Sequence, residues 1–424
     1  MLIYGDTLES QGFSFFTEVK ISTTHAGKVT AWYKRKIIVM KIIHIGNLKS
    51  GIDTYVRNTA ALAGDEFEFV IVSGADDNSE PYIRHGKPLP QYTIDMYRAL
   101  NPIKDMKAVW QAVRIIKREK PDLVHCHSAK GGVIGRIAAF LCGKQSVYTA
   151  HAFSFLSAES AKKQKVFLTL EKIAKLNSVL LGCSESERLL GMEKVGYTEK
   201  NAVAWNNAIP RILDKDIQEP DEAIRHEKTV ISIGRPSYQK NPLLMVEVMR
   251  RVRERHPAVK FYLVGVGFYS PMLDETKALI HQYGMDDCFV MVPWLSHAET
   301  LGYLKHAKVY LTTSLYEGLP IAVLEALAMG KPVVSSDVIG NNDCVKDGEN
   351  GYLLPMDADR MADAVCRLLD DEALREKMGR ASKELFKREF LIDNRIGELE
   401  RIYRLFAPAK KADASPGGEV VREL

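Results

Sequence analysis

Short apolar runs punctuate the chain, and the segments between them carry apolar residues at every third or fourth position. Runs at 41–45, 67–73, 122–127, 146–151, 178–184 and 202–206 have the length and composition of buried strands. Between them, "DMKAVWQAVRIIKREK" (105–120) has the period of an amphipathic helix. A strand–helix–strand rhythm folds into a parallel, doubly wound sheet with right-handed crossovers. At 207–228 the rhythm breaks into a polar, proline-containing linker. A second series follows at 229–235, 259–265, 288–294, 308–314 and 332–336. The fold class is therefore α/β, with two Rossmann-like doubly wound domains facing across a cleft. The expected boundaries are 1–39 for an N-terminal extension without clear element order, 40–215 and 216–390 for the two domains, and 391–424 for a closing helix and frayed tail. Met40 is expected to open the folded unit and, as a second expectation, translation.

Composition narrows the class. A chain of 424 residues exceeds one ordinary core, which agrees with two domains. The net charge of +4 gives no argument for nucleic acid. No apolar run reaches eighteen residues, so a transmembrane helix is not expected, and "MLIYGDTLESQGFSFF" lacks the form of a signal peptide. Six scattered cysteines without a CxxC suit reduced thiols in a cytoplasm.

Ligands of open α/β sheets lie beyond the carboxyl ends of the strands, so motifs there count most. "SLYEGLPIAVLEA" (314–326) follows such a strand. Glu317 falls in its loop, Pro320 fits a first helical turn, Glu325 lies about a turn and a half inside, and Gly330 stops the helix. A helix start attracts phosphate, while nearby acids can bind sugar hydroxyls. The plain alternative is a helix-start acid and a surface charge. "ISIGRPSYQKNPLLMV" ends a strand at Gly234, sets Arg235 and Lys240 around a loop, and offers Asn241-Pro242 as N-cap and first helical residue. Two cations at a helix start make an anion site, unless both are simply solvated.

In "NLKSGIDTYV", Ser50-Gly51 permits close approach to a phosphate and Asp53 is a plausible N-cap, with turn chemistry as the alternative. "LVGVGFYS" reads as a strand-to-helix turn capped by Ser270, not a nicotinamide fingerprint. His125 and His127 share a strand face, but no nearby Asp or His is seen to complete a metal set, so no metal is expected. His151 ends a strand at the cleft, or caps the core. Residues 101–175 hold fourteen Lys/Arg against five Asp/Glu. Within them, 160–178 mixes Lys162, Lys163, Lys165, Lys172 and Lys175 with Val166, Phe167, Leu170 and Ile173, as an interfacial helix on anionic lipid does, or an ordinary surface helix.

Taken in order, "HCHSAKGGVIGRIAA", "YTAHAFSF", "GRPSYQKNP", "SLYEGLPIAVLEA" with its E-x7-E spacing, and "GNNDCVKDGENGYLLP" resemble the retaining glycosyltransferases of family 4, which have the GT-B fold. The likeness runs from about Met40 to Phe406 and points to bacterial members that extend lipid-linked or capsular saccharides. It implies that Glu317 contacts donor-sugar hydroxyls, Glu325 the ribose, and Arg235 and Lys240 the diphosphate. Gly234, and the backbone N–H groups of Gly318 and Leu319, would meet the donor. Gly51 would face the diphosphate from the other domain, and His151 would sit at the sugar–acceptor junction. Trp294 in "MVPWLSH" is a candidate for the base. The first loop departs from the family's Gly-Gly plus Glu pattern, reading "KSGIDTYV". The resemblance implies a nucleotide-sugar donor, expected to be a UDP-sugar, with no metal or other cofactor. The acceptor is expected to be a lipid-linked or growing saccharide, with the protein on the cytoplasmic membrane face. A UDP-sugar 2-epimerase of the same fold and a non-catalytic nucleotide-sugar binding module are the alternatives.

Overall fold

The apolar runs become two parallel sheets. In the first, β1 (Met40–Gly46), β2 (Phe67–Gly74), β3 (Gln91–Ile94), β4 (Leu123–His127), β5 (Ser146–Thr149), β6 (Val179–Gly182) and β7 (Ala202–Ala204) lie in the order β7-β6-β5-β4-β1-β2-β3. In the second, β8 (Thr229–Ile233), β9 (Lys260–Val266), β10 (Phe289–Pro293), β11 (Val309–Thr312), β12 (Val333–Ser336) and β13 (Gly351–Leu354) lie in the order β10-β9-β8-β11-β12-β13. Every neighbouring pair in both sheets is parallel. The sequence pattern missed β3 and β13. Both are four-residue edge strands: β3 (QYTI) mixes polar with apolar residues, and β13 (GYLL) is too short a run to stand out, with three of its four residues only half-buried.

This computed structural model describes residues 16–21, 31–36, 39–75, 80–97, 101–158, 160–220, 224, 228–267 and 270–407. Before residue 39 it gives one backbone pairing, Phe16–Ile21 antiparallel to Ala31–Lys36. The rest of the expected extension, and the tail beyond Ala407, lie outside the described residues.

The helices that matter for the site are α1 (Gly51–Leu62), α2 (Ala129–Leu141), α3 (Ala161–Ala174), α4 (Glu185–Leu190), α5 (Pro242–Arg255), α6 (His297–His306), α7 (Ile321–Ala328) and α8 (Ile392–Phe406). The last of these returns to the first sheet. Its Ile392, Leu399 and Tyr403 are buried with Ile42, Phe67, Phe69 and Trp205. Each such aliphatic side chain contributes roughly 2 kcal/mol by leaving water. The indole of Trp205 donates to the Arg395 carbonyl at 3.0 Å. The outgoing and returning chains run side by side: Ile209 N–H donates to the Phe390 carbonyl and Ile392 N–H to the Ile209 carbonyl, both at 3.0 Å. The polar stretch expected to link the domains is thus tied to the return crossing, and the two together join the domains.

Candidate active site

The loops after the strands carry most of the backbone strain. Ser50 (φ 52°) follows β1, Ser128 (φ 60°) β4, His151 and Ala152 (φ 51° and 79°) β5, and Asn241 (φ 46°) β8. Non-glycine residues in this region cost on the order of 1–3 kcal/mol each, and they collect where a site is built. The surrounding contacts show what holds them. Asn241 follows Lys240 in a turn whose two carbonyls both accept from the buried hydroxyl of Thr313, at 3.0 and 2.9 Å. Ala152 donates its N–H to the carboxylate of Glu187 on α4, at 2.7 Å, and Cys183 N–H donates to the same group at 2.9 Å. Burial raises the Glu187 pKa.

In the second domain the two leading motifs are laced together. Lys240 Nζ donates to Glu317 Oε1 at 2.6 Å. Ser314 Oγ donates to the same oxygen at 2.7 Å, and Gln239 Nε2 donates to Oε2 at 3.0 Å. Glu317 is only 6% exposed, so it is not a loose surface acid but a buried carboxylate with three donors. Gly234 sits at φ 145°, a conformation that strains any other residue, and a Cβ there would come within 3.1 Å of the Lys240 stem and oblige it to shift. Arg235 comes next, half-buried in the same loop.

Glu325 is equally buried, and His297 Nε2 lies 2.8 Å from its Oε1. That hydrogen bond raises the His297 pKa. His297 begins α6, a position that sequence reasoning passed over. Leu319 is buried, and its carbonyl accepts from Asn207 of the linker at 2.8 Å. Trp294 stands 62% exposed beyond the end of β10.

Several local readings shift. Pro320 occupies the N-cap position of α7 rather than its first turn, in extended conformation. Asn241 holds the N-cap position of α5 in a left-handed backbone conformation and makes no side-chain cap. The N-cap of α1 is Ser50, and Asp53 lies inside the first turn, paired with Arg57 at 2.8 Å and with the Tyr82 hydroxyl. Ser270 does not cap a helix; its hydroxyl accepts from Gly267 N–H at 3.0 Å.

The two domains meet at this point. A Cβ on Gly318 would sit 2.7 Å from Cys183 Sγ, 2.8 Å from Ala152 N and 3.0 Å from the His151 carbonyl carbon, so only glycine lets the Glu317 loop close on the His151 turn. Gly51, at the start of α1, faces Ile321 at the start of α7. Ser186 on α4 bonds Asp343 through its hydroxyl, and its N–H donates to Asp343 Oδ1 at 3.1 Å. Gly340 N–H donates to the Ser186 hydroxyl at 3.1 Å. His151, Glu317, Lys240, Gly318 and Gly51 are therefore all brought to where the two domains meet.

Below His151 lies a cluster the sequence reading did not see whole. The expectation that no third residue joins His125 and His127 is wrong. His44, on neighbouring β1, brings a third imidazole, and donor atoms of the three lie within 4.8 Å of one another. The contacts are hydrogen bonds: His44 Nδ1 to His127 Nε2 is 2.8 Å, shorter than the roughly 3.3 Å between two nitrogens bound tetrahedrally to one zinc ion at about 2.0 Å. His127 Nδ1 is 3.1 Å from His151 Nε2. His125 bonds the Tyr403 hydroxyl and the Thr149 hydroxyl at 2.8 and 2.9 Å. Burial lowers all four pKa values, to about 3 for His44 and His151.

Comparison with known proteins places this architecture. The family described as "Glycosyl transferase 4-like domain" matches residues 50–190, and "Glycosyl transferases group 1" matches residues 214–385. A curated relative is the UDP-Gal:alpha-D-GlcNAc-diphosphoundecaprenol alpha-1,3-galactosyltransferase of Escherichia coli, 29% identical over 79% of this chain and 91% of its own. Among solved structures, the sucrose-phosphate synthase of Thermosynechococcus elongatus superposes with a TM-score of 0.73 at 21% identity, covering 86% of this chain and 98% of its own. HepE of Anabaena, solved with UDP-glucose, gives 0.68 at 17%, covering 86% and 100%. With both domain families matched in chain order and both Rossmann-like sheets facing one cleft, the chain belongs to the GT-B glycosyltransferases.

Proposed function

We propose that this glycosyltransferase moves a sugar, with retention, from a UDP-sugar to a lipid-linked or growing saccharide of the cell surface. The observation that carries the reading is the buried Glu317 carboxylate held by Lys240 at the start of α7. Glu317 is placed to accept from donor-sugar hydroxyls, and Glu325, steadied by His297, from the ribose. Arg235, Lys240 and the positive end of α7 meet the negative charge that develops on the departing diphosphate. In this reading those groups carry that charge without a resident metal, and neither glutamate attacks the sugar. The acceptor hydroxyl enters from the face the diphosphate leaves. Contact between Gly318 and the His151 turn excludes the water that would hydrolyse the donor. The relative from Escherichia coli, named for a UDP-Gal donor and a diphosphoundecaprenol acceptor, supports this choice of substrates.

Helix α3 supports a membrane-bound acceptor. Its Glu171 and Ala174 turn inward, where Arg136 pairs with Glu171 at 2.8 Å. Val166, Leu170 and Ile173 face outward, 49%, 39% and 67% exposed, among exposed Lys162, Lys163, Lys165 and Lys172. We place this face on the anionic cytoplasmic leaflet. Among the described residues no helix is long and apolar enough to cross a membrane.

The test is transfer from a panel of UDP-sugars to a polyprenyl-diphosphate saccharide. Net transfer with retained anomeric configuration is expected. Interconversion of two UDP-sugars without acceptor would overturn the proposal in favour of an epimerase, and binding without transfer in favour of a binding module.

A further inference from the structure

Three imidazoles form a line that ends at the candidate active site. His44 and His127 are fully buried, while His151 keeps partial exposure. The bonds run His44 Nδ1–His127 Nε2 and His127 Nδ1–His151 Nε2. A neutral imidazole has one N–H and one bare nitrogen, so fixing one proton fixes the others along the line. Two polarities are possible. If donation runs inward, from His151 to His127 to His44, His44 ends with an N–H at Nε2. That atom has no hydrogen-bond partner among the described residues, and the ring packs on Phe69 at 5.5 Å. If donation runs outward, His44 Nε2 is a bare acceptor instead. Buried unmatched N–H groups are rarer than under-satisfied acceptors, so the outward polarity is the stable one.

We propose that His44 and His127 are positioning residues that hold His151 as its Nδ1–H tautomer, so that His151 donates a hydrogen bond to a substrate oxygen and does not accept one. Burial keeps all three rings neutral, so each carries a single N–H. The inference rests on the proposed place of His151 at the sugar–acceptor junction, and the experiment separates the two.

Protein labelled with nitrogen-15 histidine reports the tautomer through two-bond nitrogen–proton correlations, the His151 signals being assigned by their loss in His151→Gln. The expected result at pH 7.5 is a single neutral His151 tautomer protonated at Nδ1. A proton at Nε2 would overturn the proposal without any variant. His44→Leu is expected to mix the tautomers and to lower kcat about tenfold or more, with the KM for donor little changed, because a wrong tautomer removes the donor only at the reacting stage. His44→Asn, whose amide can donate from the Nδ1 position, is expected to restore most of the turnover. Mixed tautomers with unchanged kcat would also overturn it. If His151→Gln itself left turnover intact while the tautomer stood as predicted, the failure would belong to the placement of His151 in the reaction, not to the relay.

Discussion

Lys240 and Glu317, 77 positions apart in the chain, meet at 2.6 Å and join the two loops that frame the start of α7. Leu315 N–H donates to the Gln239 carbonyl at 2.8 Å and Gln239 Nε2 to the Tyr316 carbonyl at 3.1 Å, so backbone as well as side chains lock the junction. A carboxylate this buried depends on its partners, and a cation this placed is aimed by its carboxylate.

Removing the cation should therefore act on chemistry first. Lys240→Ala is expected to lower kcat by about 10²–10³-fold, the usual loss for one fixed charge-stabilising donor. Glu317→Gln, which still accepts from Lys240 and Ser314, should fold normally and lose donor affinity; Glu317→Ala should cost stability as well. Because the two side chains act together, Lys240→Ala with Glu317→Ala should lose less than the sum of the single effects. Steady-state kinetics with chemical denaturation of each variant measures both. Full activity of Lys240→Ala would remove the basis of the proposed mechanism.

The His297–Glu325 contact predicts a pH dependence. The hydrogen bond to Glu325 raises the His297 pKa above its ordinary value near 6.5. Its contribution is then complete below about pH 6.5 and fades as the pH rises through the raised value. If Glu325 holds the ribose, His297→Ala should weaken nucleotide binding several-fold at pH 6 and much less at pH 9. Isothermal titration with UDP at both pH values checks this, and an equal loss at both would separate His297 from Glu325.

The buried histidines predict the opposite slope. His44, His125, His127 and His151 have pKa values depressed by desolvation, while the unfolded chain returns each toward about 6.5. Their rings face one another, Tyr55, Phe69, Tyr403 and Thr149, with no carboxylate among these contacts to favour protonation. Stability from neutral burial is thus full above about pH 6.5 and lost as the pH falls below it, by about 1.4 kcal/mol per pH unit for each histidine that titrates only on unfolding. Urea unfolding at pH 7.5, 6 and 5 should show this steep acid limb, and His125→Asn should flatten it by one proton.

How much of this was readable from the chain follows from distance in sequence. The strands of both sheet centres announce themselves by apolar runs, and Glu317, Glu325, Arg235 and Lys240 by their places after strands. The pairing of Lys240 with Glu317 is invisible, because it depends on β8 lying beside β11. His44 is a lone polar residue in the apolar run "KIIHIG", and only the parallel register that sets it against His125 makes it part of a cluster. Glu187 and Ser186, at the start of a short helix, carry no motif, yet one clamps Ala152 and the other binds Asp343 across the domains. For α3 the pattern showed apolar and basic residues together, but not which side faces out. That is decided by Arg136, which draws Glu171 into the core.

That orientation of α3 yields the last prediction. With Glu171 turned inward, the outward stripe of Val166, Leu170 and Ile173 stays exposed among the described residues, and the lysines around it match an anionic surface. The protein should co-sediment with phosphatidylglycerol-containing vesicles and not with neutral ones, and added salt should weaken the binding. Val166→Glu with Ile173→Glu adds charge to the lipid-facing side without touching the buried Arg136–Glu171 pair. It should abolish vesicle binding and slow transfer to a long-chain polyprenyl acceptor. Transfer to a short, water-soluble analogue should stay the same, since the cleft is untouched. Equal loss on both acceptors would mean that the stripe serves the fold rather than the membrane.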